Sequence, residues 1–265
     1  MRVDPTPFVK RYLQEAPLFA SIVRGVECAL AQEAGEFPEP VLDLGCGDGV
    51  FAAVAFPKGL DYGVDPSEGA LREGLRHRAH RMLTVGSATE MPFPNGHFGS
   101  IVCNSAIEHI PDVESTLREC HRVLAPGGRL WITTPSHYFG GMLLGSRALR
   151  SVGLRGTAEA YARWFNGHSL HFHTDSRETW HERLEQHGFA VQQSFYYLTP
   201  GAHSAFDLLH YLSAWRWIRR RVTGRWVGSG LTLNAFWTAR ISGLIERSWP
   251  TEAGLYLYLD ATRKS

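Results

Sequence analysis

The segment 41–55, VLDLGCGDGVFAAVA, constrains the fold more than any other stretch of the chain. An apolar run containing Asp43 meets glycines at 45, 47 and 49, and small and apolar residues resume at once. That order predicts a strand, a tight turn and the start of a helix. Glycine permits positive φ in such a turn, and its missing Cβ lets a ligand lie against the backbone. The spacing narrows the ligand. A dinucleotide turn G-x-G-x-x-G needs its third small residue at position 50, which is Val50, and the third glycine falls one place early. Asp43 at the strand's end would also repel a pyrophosphate and welcome an ammonium group. A nicotinamide-dependent oxidoreductase is therefore the disfavoured reading of this turn.

The next apolar run, 60–64, ends in Asp65 and Pro66, and Asp65 lies 20 residues after Gly45. At that distance an acidic side chain closing the second strand meets ribose hydroxyls, because adjacent parallel strands end on one edge and face one crevice. Further along, 67–79 reads as a polar helix with Ala70, Leu71 and Leu75 inward, and 82–85 and 100–104 read as strands. Asp112 is placed to cap a helix over 113–123, and Pro126, Gly127 and Gly128 turn the chain into a strand over 129–133. A helix over 176–187, ended by Gly188, precedes a strand over 189–197, and a last strand covers 255–259. Before the glycine turn, Leu18, Ile22, Val26 and Leu30 recur at helical spacing up to Ala34, where Gly35 and Pro38 end the pattern.

The order D-x-G-x-G-x-G, the acid Asp65, the loop GSATEMPFPNG and the run SAIEHI followed by RVLAPGGRLWITTP resemble the class I S-adenosylmethionine-dependent methyltransferases. The likeness is to their small-molecule type 11 branch and is continuous from 41 to 135. It implies an α/β, Rossmann-like doubly wound sheet of seven strands, mostly parallel with an antiparallel last strand, carrying helical cap insertions. It also implies S-adenosyl-L-methionine as cofactor. Asp43 would hold the methionine amino group, indirectly in many members, with Gly45, Cys46 and Gly47 against the methionine and ribose portions. Asp65 and Pro66 would serve the ribose, and Ser87, Ala88 and Thr89 the adenine, with Asn104 closing the same set. Ser87 stands where many members carry an acid, which makes adenine recognition the weak point. The implied division is an N-terminal helical cap over 1–40, with Phe8, Tyr12 and Phe19 covering the cofactor, and a cofactor-binding core over 41–135. A lid insertion, 136–175, a core helix and strand, 176–198, an aromatic and Arg-rich helical insertion, 199–254, and the last strand, 255–265, complete it.

Transfer of a methyl group to a hydroxyl or amine depends on alignment, and a base is needed where the acceptor is a hydroxyl. His109 follows the fourth strand and is the base by position. His168, His171 and His173 crowd into NGHSLHFHT, but neither H-E-x-x-H nor a cysteine pair accompanies them, so no metal is expected and they read as a lid or acceptor-pocket segment. His168 or His171 is the alternative base. The acceptor pocket is expected from 168–172 together with Phe206, His210, Tyr211 and Trp215, a set suited to a small or lipid-like molecule. The stretch 205–226, with Trp215, Trp217 and Arg216, Arg219, Arg220, Arg221 and Arg225, has the composition of a peripheral membrane contact. With 265 residues and a net charge of +1 there is no global field for nucleic acid, and none is expected as a partner. Cys28, Cys46, Cys103 and Cys120 show no C-x-x-C spacing, the N-terminus shows no leader pattern, and no apolar run reaches about 18 residues. Together these read as a cytoplasmic protein with reduced thiols. A cofactor-binding protein without turnover is the alternative of a different class.

Overall fold

The computed structural model describes residues 2–16, 18–199 and 249–265, without the side chains of residues 18 and 19. The strands are β1 (Val41–Leu44), β2 (Leu60–Asp65), β3 (His80–Val85), β4 (Phe98–Asn104), β5 (Leu124–Pro135), β6 (Phe189–Tyr197) and β7 (Tyr256–Arg263). They form one sheet in the order β3-β2-β1-β4-β5-β7-β6. The first five run parallel, and β7 lies antiparallel between β5 and β6. This is the doubly wound, mostly parallel arrangement expected, with the last strand antiparallel.

Central strands sandwiched between helices must be apolar on both faces, and side chains alternate along them. Val41, Val102, Trp131 and Tyr258 face one layer, packed with α1 (Thr6–Glu15), α2 (Leu18–Glu33) and α3 (Val50–Ala55). Leu42, Ile101, Ile132 and Leu259 face the other, packed with α5 (Val113–Val123) and α9 (Arg177–Gln186). The caps follow the sequence: the Asp112 carboxylate accepts from Ser115 N–H at 2.9 Å, and Ser176 Oγ accepts from Thr179 N–H at 3.2 Å.

One expected helix is shorter than its pattern. The segment read as 67–79 is helical only over Glu68–Gly74 (α4), and Leu75, expected inward, lies past its end and is 64% exposed. The N-terminal helices pack against the sheet and each other: Tyr12 is buried in the layer of α1, α2 and α3, and a Cβ at Gly25 would collide with Val9. Phe8 packs against the same cluster, and Phe19 is outside the described side chains. The segment 136–175 holds three helices, α6 (Phe139–Met142), α7 (Leu144–Ser151) and α8 (Arg155–His168). Phe206, His210, Tyr211, Trp215 and the whole of 205–226 fall outside the described residues.

Candidate functional site

Strand order reverses at β1, whose neighbours β2 and β4 carry the chain away in opposite directions, and a crevice opens at such a switch point beyond the carboxyl ends of the strands. A cleft of about 350 Å³ lies there, with Gly45, Asp65, Gly86, Ser87, Ser105 and His109 on its walls. Pro66 and Ala88 line it as well. Gly45, Gly47 and Gly49 all have positive φ, at 73°, 53° and 72°. Their reasons differ. A Cβ on Gly45 would strike that of Ala106 at the end of β4, so this glycine serves strand packing, whereas a Cβ on Gly47 would meet nothing within 4 Å. The turn is pinned from below: Gly45 N–H donates to the Val64 carbonyl at 2.8 Å, and Gly47 N–H donates to Asp65 Oδ2 at 3.0 Å. Asp65 Oδ1 also accepts from Ser67 N–H at 2.8 Å.

Asp43 is placed differently from Asp65. It is 2% exposed and its Oδ2 lies 2.9 Å from Nε2 of His80, itself buried under the glycine turn. It does not line the cleft. The Cys46 side chain is also buried, and burial pushes its thiol well above the usual range. Asn104 turns its Oδ1 to the Thr133 hydroxyl at 2.9 Å. Ser87 Oγ and Thr89 Oγ1 bond each other at 2.8 Å, and Ser87 Oγ accepts Thr89 N–H at 3.2 Å.

Ser105, which the sequence did not single out, has φ +44° and its amide donates to the Thr133 carbonyl at 2.9 Å. Its hydroxyl donates to Glu27 Oε1 at 2.8 Å. Glu27 is fully buried, accepts the Tyr197 hydroxyl at 3.0 Å and is ion-paired with Arg24 at 2.6 Å. Burial, reinforced by Glu27, holds the Tyr197 phenol well above its usual pKa. A left-handed serine at the cleft wall is thus locked by a side-chain network reaching α2.

The histidines part company. His168 ends α8, exposed and stacked on Trp164 with ring centroids 5.6 Å apart. His173 Nε2 sits 3.0 Å from the Ile110 carbonyl, holding a loop. His171 instead meets His109, with ring centroids at 5.3 Å. His109 stands on a 3-10 turn, Ile107–His109, and its Nδ1 donates to the Leu170 carbonyl at 3.1 Å. Beside them Glu108, 2% exposed, has its carboxyl pushed up to about 8 by burial. Burial lowers His109, and lowers His171 to about 4 with His109 adding to the effect, so both rings are neutral near pH 7. The pair Glu108-His109 was visible as E-H in SAIEHI; its junction with His171 was not.

The cleft suits an adenosyl sulfonium. Asp65 puts a carboxylate on its wall, the space over Gly47 is open, and the wall at Pro66 and Ala88 is uncharged. Residues 42–132 match the family described as methyltransferase domain. The chain is 33% identical over 112 residues to the ubiquinone biosynthesis O-methyltransferase of Pseudomonas aeruginosa strain UCBPP-PA14, covering 39% of this chain and 47% of that protein. It is 37% identical over 99 residues to the demethylmenaquinone methyltransferase of Symbiobacterium thermophilum, covering 34% and 39%. The chain therefore spans less than half the length of these curated relatives. A solved S-adenosylmethionine-dependent methyltransferase from Mesorhizobium loti superimposes with a TM-score of 0.55 at 18% identity, covering 90% of this chain and 98% of that one, which establishes the shared fold.

Proposed function

Taking residues 42–132 as a methyltransferase domain of the S-adenosylmethionine-dependent class, we propose that the chain is an enzyme that methylates a hydroxyl of a small or amphipathic metabolite. The observation that carries this reading is the cleft at the switch point, where the turn at Gly47 and the carboxylate of Asp65 are already bonded to each other and His109 stands on the opposite wall. Asp65 and Pro66 bind the ribose, and Gly45, Cys46 and Gly47 present backbone to the methionine portion. Asp43 acts at one remove, holding His80 beneath the turn. Ser87, Ala88 and Thr89 take the adenine end, and Asn104 supports the fourth strand's end through Thr133. Bound there, the cofactor supplies a methyl group that passes to the acceptor oxygen as its bond to sulfur breaks, leaving a neutral thioether.

His109 donates through Nδ1, so its Nε2 carries a lone pair at the cleft rim and accepts the proton that the acceptor oxygen loses. His171 and His168 belong to the adjoining lid, and the lid excludes water. Relatives named for quinone methylation favour a hydroxylated ring with an apolar tail, delivered at a membrane surface that 205–226 contacts through its tryptophans and arginines. The test is incubation with methyl-labelled S-adenosylmethionine and tailed catechols, phenols and amines. Label in an O-methylated product is expected. Full cofactor binding with no label in any acceptor would favour the binding protein without turnover.

A further inference from the structure

Among the buried acids of the described residues, Glu27 accepts from Ser105 and Tyr197 and pairs with Arg24, and Asp43 Oδ2 bonds His80 Nε2, with His80 Nδ1 left without a partner among those residues. The group at the cleft rim is different. Glu108 Oε2 and His171 Nδ1 are both buried without a hydrogen-bond partner among the described residues. A buried carboxyl oxygen left unpaired is costly, so the arrangement calls for an occupant.

The geometry points to a divalent cation. One ligand atom from each of Glu108, His109 and His171 can be chosen so that all three lie within 4.8 Å of one another. With bonds of about 2.1 Å, neighbouring donors on an ion sit about 3.0–3.4 Å apart, so side-chain rotations that draw the three atoms together by about 1–2 Å bring this set to coordination distance. The two chain segments are already stitched together. Phe172 N–H donates to the Glu108 carbonyl at 2.8 Å and His109 Nδ1 to the Leu170 carbonyl at 3.1 Å. The second of these bonds also leaves His109 Nε2 free to ligate, the carbonyl acting as the partner that fixes the tautomer. We propose that Glu108, His109 and His171 bind a divalent first-row transition metal ion at the rim of the cleft, with open positions for the acceptor oxygen.

Two imidazoles and one carboxylate select zinc, manganese, iron or cobalt over magnesium and calcium. The site deepens the proposed function and rests on that reading only for what the ion does. A hydroxyl bound to the ion ionises near neutral pH and loses its proton to solvent, and the resulting oxyanion attacks the methyl. In that role His109 is a ligand and no longer the base.

The test is a Co²⁺ titration of the full chain after chelator treatment, read by the visible absorption of the bound ion and checked with Zn²⁺ by equilibrium dialysis. One equivalent is expected to bind. Glu108→Gln and His171→Gln should each weaken binding by about tenfold or more, while both still bind S-adenosylhomocysteine as the parent does, which establishes that they are folded. A parent chain with no saturable uptake, or variants that take up the ion unchanged, would overturn the proposal. Because the readout is the bound ion, a chain that bound cobalt in this way and methylated nothing would support the site while refuting the reaction.

Discussion

At the scale of single residues, what could be read in the sequence was what local geometry dictates. The glycines at 45, 47 and 49 took left-handed φ because the strand must turn into α3 within a few residues. The partner of Asp43 could not be read, because His80 lies 37 positions away and reaches it only when β3 pairs with β2 beside β1. Replacing it should be costly: His80→Leu leaves the Asp43 carboxylate buried without its partner, an expected loss of about 1–3 kcal/mol in urea denaturation. The same limit applied to the histidines, whose closeness in sequence at 168, 171 and 173 suggested one cluster. The end of α8 sends His168 outward, and His171 finds its neighbours in another segment, at 108 and 109. On the adenine side, Ser87→Asp should leave cofactor affinity intact or tighten it through a charge-assisted hydrogen bond, measured by calorimetry. A large loss would show the loop to be wrongly assigned.

At the scale of elements, the apolar runs of the central strands were legible because burial on both faces makes most positions apolar, with Asp43 in β1 and Ser100 in β4 among the buried polar exceptions. Helix ends were harder to read. In α4 the run of inward residues continued to Leu75 but the helix did not. One device escaped the sequence altogether. Glu119 on α5 accepts Met91 N–H at 2.7 Å and pairs with Arg122, whose guanidinium donates to the carbonyls of Met91 and Phe93. This clamps 91–93, just after the loop at 86–88, to the helix. Glu119→Ala should loosen that loop and weaken cofactor binding severalfold by calorimetry. The Arg122 hydrogen bond holds the Glu119 carboxylate below its ordinary pKa. Its stabilisation is therefore complete above the usual carboxylate range and lost as pH falls through the folded value. The stability gap between parent and Glu119→Ala, followed by denaturant midpoint, should accordingly shrink on acidification below about pH 4.

At the scale of the whole molecule, the seven strands, mostly parallel with the last antiparallel, are what the family resemblance implied, whereas the order β3-β2-β1-β4-β5-β7-β6 came only from the structure. The acceptor was the least legible part. Its expected pocket draws on 136–175, whose helices α6 to α8 carry no repeating motif, and on 205–226, which lies outside the described residues. No helix among the described residues is long and apolar enough to cross a membrane, so contact with a lipid surface rests on composition alone. The central claim concerns the cleft, and calorimetric titration with S-adenosylhomocysteine and, separately, with NAD tests it most directly. The account predicts one micromolar site for S-adenosylhomocysteine, weakened about ten- to a hundredfold in Asp65→Ala, and no heat of binding with NAD. Saturable binding of NAD with no response to S-adenosylhomocysteine would contradict it.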